Sequence, residues 1–321
     1  MQINHLQLLC DPLTREPLSL IDEVIVDGEI ISGTLVGSKR YPITNGIPRF
    51  VSDEGYSRNF GYQWNKWARV QFEDQNIGRP MEGYTKNMFD EITDGEFQDL
   101  SSKLVLDMGC GPGRFSDLVL SRGGSVIALD YSSAIDAARL NFKDYKTRTL
   151  LIQGDALMLP IRTDSVDAVF SIGVLHHTPE PKSGVTEAYR VLRNGGSFAL
   201  AVYGRRGYYA FPVVNAWRTL FNYLRPISGN TPALIYSHIV ARIAFVLGSV
   251  WPPLSLPFRA VFSSVYLPDL RWAILDTFDS ITPSYQSSHE FRQVYEWFND
   301  AKFKEIKPGR WHPTNCIGFK R

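Results

Sequence analysis

Cysteine is scarce in this chain of 321 residues: Cys10, Cys110 and Cys316 are its three cysteines, and they lie far apart. So few and so widely spaced cysteines exclude a disulfide framework and any local metal site built from cysteine alone. Charge of one sign is equally lacking, because the net charge is +1. No global basic excess therefore indicates a nucleic-acid partner. We expect a globular chain in a reducing, cytoplasmic compartment.

Long apolar runs are also missing. The longest uncharged stretches, residues 226–241 and 243–258, have about 16 residues each, whereas a membrane-spanning helix needs roughly 20 apolar residues. Residues 1–11 show no basic stretch followed by an apolar core and a small-residue cleavage site, the pattern of a signal peptide. We expect no transmembrane span and no secretion signal. A peripheral contact with a membrane surface remains compatible with this composition.

The length of the chain and the order of its patterns predict more than one structural unit. At 36.4 kDa the chain can hold two domains, or one domain with sizeable insertions. Short β-rich stretches fill the first fifty residues, and apolar strands alternate with helices from residue 103, which favours a parallel sheet covered on both faces. We predict five segments: a small β module at 1–54, a linker with helices at 55–100, an α/β core at 101–204, a helical insertion at 205–287, and a last helix with two strands at 288–321.

The insertion differs from the rest of the chain in composition. Between residues 205 and 285 it has no Lys and no Glu, and seven arginines stand against three aspartates. We predict helices at 211–223 and 233–247, forming a lid over an apolar cavity. The arginine excess favours an acidic or phosphorylated acceptor or an anionic membrane surface, and burial in a homodimer is the competing interpretation. We predict that His238, Tyr285 and His289 lie in the pocket, with ordinary packing as the alternative for each.

A glycine-rich turn follows the first strand of the predicted core. Residues 107–113 read Asp-Met-Gly-Cys-Gly-Pro-Gly, and such glycines let the backbone approach a ligand closely. Asp130 ends the next strand, 19 residues after Gly111, where a carboxylate can accept hydrogen bonds from ribose hydroxyls. Arg114 and Ser116 depart from the glycine pattern of dinucleotide-binding dehydrogenases, and no Gly-Lys-Ser/Thr follows as in a P-loop. The pattern therefore favours another kind of nucleotide-containing ligand.

Further motifs follow in a fixed order. They are Gly-Asp-Ala at 154–156, Val-Leu-His-His at 174–177, and Arg-Val-Leu-Arg-Asn-Gly-Gly at 190–196. With the glycine turn, they make residues 107–203 resemble the class I S-adenosylmethionine-dependent methyltransferases. The ubiquinone-biosynthesis-like small-molecule enzymes are the most similar subgroup. The resemblance implies an α/β, Rossmann-like sheet of seven strands and S-adenosylmethionine as the cofactor.

The resemblance also implies a role for each matched position. Asp107 and the backbone of the glycine turn would hold the methionine part of the donor. Asp130 would bind the ribose, Tyr131 and the Asp155-Ala156 pair would lie near the adenine, and the end of the fourth strand would line the passage to the acceptor. The predicted donor-binding residues are Asp107, Gly109, Gly111, Gly113, Asp130, Tyr131, Asp155, Ala156, Ser171, Ile172 and Gly173.

The chemistry of a sulfonium methyl donor needs few catalytic groups. The donor is already activated, so alignment and exclusion of water carry much of the catalysis, and a hydroxyl acceptor adds the need for a base. His176 and His177 directly follow the fourth strand, and we predict that one of them is this base, with loop packing as the alternative for each. Aromatic residues upstream of the core could cover the donor by cation–π attraction or form inter-domain core. The predicted acceptor side includes Tyr62, Trp64 and Tyr203.

The N-terminal module has a resemblance of its own. Residues 8–13, Leu-Leu-Cys-Asp-Pro-Leu, and residues 40–51, which contain Tyr-Pro-Ile and Gly-Ile-Pro, resemble the zinc-ribbon activator subunits of RNA and release-factor methyltransferases. Zinc normally takes four ligands. Cys10 stands alone where that family has a cysteine pair, and the nearest histidine is His5. We therefore predict no metal, and a role in docking and stability.

The sequence thus predicts an enzyme that moves a methyl group to a small-molecule, lipidic or sugar acceptor, on oxygen in preference to nitrogen or carbon. Two alternatives stay open. An RNA methyltransferase would suit the activator-like module, but no basic stripe with interleaved aromatics accompanies it. A non-catalytic donor-binding or scaffold protein is the other, and the intact glycine turn with Asp130 and Asp155 argues against it.

Overall fold

The computed structural model describes residues 1–51, 55–205, 208, 211–312 and 314–321. Its centre is a seven-stranded sheet with the order β10-β11-β9-β8-β5-β6-β7. The strands are β5 (Leu104–Met108), β6 (Ser125–Asp130), β7 (Thr149–Gln153), β8 (Val166–Ile172), β9 (Leu192–Ala201), β10 (Lys304–Pro308) and β11 (Cys316–Phe319). Neighbouring strands from β5 to β9 pair in parallel, and β11 is antiparallel to β9 and β10. The predicted α/β sheet of seven strands is confirmed.

Helices cover both faces of this sheet. Apolar side chains of the strands alternate between two buried clusters, one on each face: Leu106 and Ile127 belong to the first, and Val105 and Ala128 to the second. This alternation explains why the strand sequences read as continuous apolar runs. The helices outside the insertion are α1 (Arg58–Lys66), α2 (Tyr84–Ile92), α3 (Arg114–Ser121), α4 (Ala134–Asn141), α5 (Pro181–Val191) and α10 (Phe291–Asp300).

A second, antiparallel sheet forms at the N-terminus. Its strands are β1 (Ser19–Val26), β2 (Glu29–Val36), β3 (Arg40–Thr44) and β4 (Ile47–Pro48), paired in that order. Asp27-Gly28 and Asn45-Gly46 each place two residues at positive φ, the geometry of a two-residue hairpin turn. Arg49 fixes the sheet to the core, since its Nη1 donates to Gln153 Oε1 at 2.8 Å and its Nη2 lies 2.6 Å from Asp136 Oδ1.

The insertion forms four helices among its described residues. They are α6 (Pro212–Ser228), α7 (Thr231–Val250), α8 (Pro252–Phe262) and α9 (Leu270–Ile281). The first two lengthen the predicted helices, whereas α8 and α9 were not predicted. Pro252 and Pro253 look like breakers in the sequence but occupy the first turn of α8, where a missing N–H costs nothing. Phe221, Ala233 and Phe278 pack α6, α7 and α9 together, and α9 is the inner helix.

Helix α7 changes the argument about membranes. Its 20 residues are apolar and long enough to cross a bilayer by length and composition, with a mean hydropathy of 1.7 and 33% of its most apolar window buried in the protein. The expectation of no span rested on uncharged runs of about 16 residues, but the helix continues through Arg242, whose Nη1 donates to the His238 carbonyl at 2.9 Å. Length therefore does not exclude a span. One such helix is weak support for it, since core helices of soluble proteins have the same character.

Candidate functional site

One cavity lies at the carboxyl ends of the parallel strands, where ligands bind in open α/β sheets. Its volume is about 440 Å³, within the ~300–1,000 Å³ range of small-molecule sites. Loops after β5, β6, β8 and β9 form its floor. Residues of α1, α2 and α9 and the loop before β11 close it from above; these are Phe60, Trp64, Tyr84, Met88, Trp272, Leu275, Asp276, Asp279, Trp311, His312 and Asn315.

The glycine turn forms one wall of this cavity. Gly109 and Gly111 line it and have φ values of +95° and +54°. A Cβ at Gly109 would overlap the side chain of Val174, so the turn depends on the absence of a side chain. Gly113 does not line the cavity: it begins α3 at φ +96°, packed against Phe142. The close approach predicted for the turn therefore falls on its first two glycines.

Asp130 lies at the end of β6 and lines the cavity together with Tyr131. Its Oδ2 accepts a hydrogen bond from Gly111 N at 2.8 Å, and its Oδ1 accepts from Ser132 N at 2.8 Å and Ser132 Oγ at 2.7 Å. The carboxylate thus ties the glycine turn to the end of the next strand. Ala156, Ile172 and Gly173 also line the cavity as predicted, and a Cβ at Gly173 would meet only open space.

Four predicted donor-binding residues lie outside the lining: Gly113, described above, and Asp107, Asp155 and Ser171. Asp107 is 2% exposed, and its Oδ2 accepts from Ser116 Oγ at 2.7 Å; burial raises its pKa to about 7. Ser171 Oγ donates to the Met108 carbonyl at 2.8 Å. Asp155 Oδ1 accepts from Leu157 N at 2.8 Å. These hydrogen bonds hold the three side chains against the scaffold, and their direct contact with the donor stays a prediction.

The two adjacent histidines have different surroundings. His177 lines the cavity, and its Nδ1 lies 2.9 Å from the Tyr285 carbonyl. Because a carbonyl only accepts, Nδ1 carries the proton and Nε2 keeps its lone pair. Burial lowers the pKa of His177 to about 4, so the ring is neutral at pH 7. His176 is fully buried and lies outside the lining, and its ring centroid is 3.7 Å from that of Tyr203.

Some of the predicted acceptor-side residues line the cavity, and others lie away from it. Trp64 and Tyr203 line the cavity. Tyr62 is 38% exposed and packs near Phe278. The remaining three residues lie outside the lining. His238 is hydrogen-bonded to Arg242 on α7, and the carbonyl of Tyr285 is hydrogen-bonded to His177. His289 is buried and hydrogen-bonded to Ser287 and Gln293. The alternative of ordinary packing applies to these residues.

None of the described lid arginines lines the cavity. Arg218 donates to the Ser280 carbonyl, Arg225 to the Thr282 carbonyl, and Arg271 pairs with Asp269. Arg205 pairs with Glu290, Arg242 contacts His238, and Arg259 donates to the Ser264 carbonyl; Arg206 lies outside the described residues. The arginine excess therefore supports helix packing. The expectation that it marks an acidic or phosphorylated acceptor loses its basis.

Three further charged groups line the cavity and are not among the predicted site residues. Asp276 and Asp279 lie on α9, and Arg114 follows the glycine turn. Burial, and then repulsion from Asp279, raise the pKa of Asp276 to about 7; burial also raises the pKa of Asp279. The signal was present in the sequence as two aspartates three residues apart in an apolar segment. A count of net charge includes these two aspartates but does not show that they lie on one face of a helix.

No group of three or more His, Cys, Asp or Glu is arranged to hold a metal ion within the described ranges. In the N-terminal sheet, Asp11 acts as a hydrogen-bonding centre instead. Its carboxylate accepts from Leu13 N at 2.8 Å, Ser38 N at 2.6 Å and Ser38 Oγ at 2.7 Å. Burial opposes its ionisation, but these bonds lower its pKa to about 2. Asp11 therefore connects two loops electrostatically.

The order of the strands in the seven-stranded sheet matches the Rossmann-like methyltransferase fold. A family model described as "Methyltransferase domain" matches residues 106–200, the segment that contains the glycine turn, Asp130 and the strand ends of the cavity floor. The chain thus carries a methyltransferase domain, and its cofactor is S-adenosylmethionine.

Curated proteins are similar to part of this chain. An uncharacterized chloroplastic methyltransferase of Arabidopsis thaliana is 36% identical over 193 residues, which cover 54% of this chain and 49% of that protein. A ubiquinone biosynthesis O-methyltransferase of Nitrosomonas europaea is 35% identical over 117 residues, covering 34% of this chain and 46% of that protein. The chain thus spans about half the length of these curated relatives.

Among solved structures, a complex of the Haloferax volcanii Trm112 methyltransferase activator with a methyltransferase has a TM-score of 0.45 at 16% identity. It covers 81% of this chain and 96% of that chain. A similarity of this size carries no conclusion about function.

Proposed function

We propose that the protein transfers the methyl group of S-adenosylmethionine to an oxygen of a small, largely apolar or lipidic acceptor. One observation carries this proposal: the cavity lined by the glycine turn is also lined by the aromatic residues Tyr84, Trp272 and Trp311, which we call the aromatic chamber or acceptor chamber. Such a chamber can shield an apolar acceptor from water. The names of relatives that are ubiquinone biosynthesis O-methyltransferases support an oxygen acceptor.

The donor fits the floor of the cavity. S-adenosylmethionine supplies an activated methyl group when bound. Asp130 and the backbone of Gly109 and Gly111 would hold its ribose and methionine portions, and Ala156 would border its adenine. Arg114 directly follows Gly113, and it lines the cavity. We assign it to the donor's α-carboxylate, since a guanidinium binds carboxylates well.

On the acceptor side, His177 and the aromatic chamber would orient the acceptor and exclude water. His177 presents the lone pair of Nε2 to the cavity, so it can accept a hydrogen bond from an acceptor hydroxyl. A pKa of about 4 makes it a weak base at pH 7. We therefore assign His177 to orientation of the hydroxyl. Alignment of the acceptor and exclusion of water would supply most of the rate.

The N-terminal sheet is proposed to be a metal-free relative of the zinc-ribbon activators, with a structural role. Support comes from Asp11, whose hydrogen bonds join the loops that a zinc ion would join, and from Arg49, which fixes the sheet to β7 and α4. No described feature favours RNA as the substrate or a non-catalytic role. A cytoplasmic location remains a prediction.

The outer face of the lid supports a further contact of the protein. Ile227, Ile235, Ile239 and Val250 are 86%, 55%, 54% and 77% exposed, more apolar surface than a solvated helix needs. A homodimer through the lid is our proposal, and a peripheral membrane contact is the competing one. Molar mass measured by light scattering at rising protein concentration separates the two.

The experiment that tests the proposed function has two steps. Calorimetry with S-adenosylhomocysteine first measures occupancy of the donor site, and we expect micromolar binding. S-adenosylmethionine with a labelled methyl group is then incubated with the protein and with separate lipid and polar metabolite fractions. Label in the lipid fraction is expected, and an Asp130→Asn variant is the control. Absence of donor binding would exclude the proposal.

A further inference from the structure

Two carboxylates of the lid face the acceptor chamber from the same side of one helix. Asp276 and Asp279 are three residues apart on α9, so they lie about one turn apart on one face. Both line the cavity. Asp279 Oδ1 accepts from Gln63 Nε2 at 2.9 Å, and Asp279 Oδ2 accepts from the Tyr203 hydroxyl at 3.4 Å. Asp276 has only a long bond, 3.4 Å from Gln71 Nε2 to its Oδ1.

A buried amide points to the same ligand. Gln71 is 6% exposed and lines the cavity, and its Oε1 has no hydrogen-bond partner. Its Nε2 donates to Asp276 Oδ1, so the amide lies beside the acidic pair. Gln71 Oε1 is therefore a buried acceptor next to Asp276 that lacks a hydrogen-bond donor among the described residues.

The charge of the cavity narrows the class of ligand. Its charged side chains among the described residues are Asp130, Asp276, Asp279 and Arg114. Asp130 is assigned above to the donor. Arg114 interacts electrostatically with Asp276 and Asp279, but one guanidinium against two carboxylates leaves a negative excess on this side of the cavity. An acceptor with a carboxylate or phosphate at this position would be repelled, whereas donors of hydrogen bonds would be attracted.

We propose that Asp276, Asp279 and Gln71 form the head-group site for the methyl acceptor, and that this site takes an uncharged or cationic group rich in hydrogen-bond donors, a hydroxyl or an amine, carried on a flat ring. This inference rests on the proposed function and names its substrate class. Burial and mutual repulsion already raise the pKa of Asp276, and a donor-rich ligand would relieve both.

The ring is inferred from the walls beside the acidic pair. The ring of Tyr84 meets that of Trp272 edge-on at 5.4 Å and that of Trp311 edge-on at 5.4 Å. All three residues line the cavity. Aromatic walls of this kind pack well against a planar ligand and also attract cations. The chamber thus combines a flat apolar slot with an acidic end.

Four ring probes test the proposal on the full-length protein saturated with S-adenosylhomocysteine: catechol, benzylamine, benzoate and phenyl phosphate. Tryptophan fluorescence reports binding, because three tryptophans line the cavity. We expect catechol or benzylamine to bind at least about tenfold more tightly than both anions, and the preferred probe distinguishes a hydroxyl from an amine. Tighter or equal binding of an anion, or no binding of any probe, would overturn the proposal.

Matched variants separate this site from the donor site. An Asp276→Asn/Asp279→Asn double variant should weaken the preferred probe about tenfold or more, while S-adenosylhomocysteine still binds in calorimetry. Asp300→Asn, an exposed carboxylate on α10 paired with Lys182, is the control and should leave the preference unchanged. Unaltered probe binding by the double variant would contradict the assignment. If the wild-type protein does not bind S-adenosylhomocysteine, the result would instead contradict the proposed function.

Discussion

The donor half and the acceptor half of the cavity are built in different ways. The donor half comes from one continuous stretch, in which strands β5, β6 and β8 end beside each other and their following loops form the floor. The acceptor half is assembled from α1, α2, α9 and the loop before β11, which are up to about 250 residues apart in sequence. Local motifs therefore describe the first half, and only packing creates the second.

The largest effect that would test this division is expected at the glycine turn. Gly109→Ala should reduce S-adenosylhomocysteine affinity about 100-fold or more, because the new Cβ overlaps Val174 at a positive φ. Calorimetry measures the loss. Gly28→Ala is the matched control, since Gly28 also has a positive φ but nothing lies within 4 Å of a Cβ there. Equal affinity in the two variants would mean that the turn does not form the donor site.

Arg114 sharpens the boundary between the halves. Arg114→Gln should lower donor affinity about 10- to 100-fold, because a charge-assisted hydrogen bond contributes roughly 1.5–3 kcal/mol. Calorimetry with S-adenosylhomocysteine is compared with the same measurement on S-adenosyl compounds that lack the α-carboxylate, for which the variant should lose nothing. If the variant binds both ligands as the wild type does, Arg114 belongs to the acceptor half.

We expect the buried carboxylate of Asp276 to lower the free energy of unfolding of the protein. Its pKa is raised to about 7 in the folded protein, from the ordinary 3.8, by burial and then by Asp279. The unfolded chain ionises first, so stability is lost as pH rises from about 4 to 7. Asp276→Asn should therefore stabilise the protein by about 1–3 kcal/mol at pH 8 and by little at pH 4. Urea unfolding at both pH values measures this, and a destabilised variant at pH 8 would contradict it.

The smallest effect is expected at His177. With an acceptor from the labelling experiment, His177→Gln should lower kcat/KM less than about tenfold, as one neutral hydrogen bond is worth about 0.5–1.5 kcal/mol. The acid limb of the wild-type pH profile should lie near pH 7, where Asp276 titrates, and not near pH 4, where His177 titrates. A limb near pH 4 that His177→Gln abolishes would make His177 the base.

Parts of this molecule could be predicted because their signals are local. The strand–turn–helix at residues 104–114, the acidic end of β6 and the Asp27-Gly28 hairpin each depend on a few adjacent residues. The roles of Asp107, Gly113, Asp155 and Ser171 could not be predicted in the same way. Their motifs lie beside the cavity, but whether a side chain faces the ligand or the scaffold depends on the turn of the backbone within the packed protein.

The sequence by itself determined the parallel sheet and the glycine turn, because apolar strands that alternate with helices and glycines that adopt positive φ act through local geometry. Tertiary structure alone decided the acceptor half. The seven arginines of the lid suggested an anionic acceptor. Those that the structure describes instead pair with groups outside the cavity lining, whereas two aspartates of an apolar helix line the cavity. Charge composition adds up side chains without direction, whereas the packing of α9 determines which of them reaches a ligand.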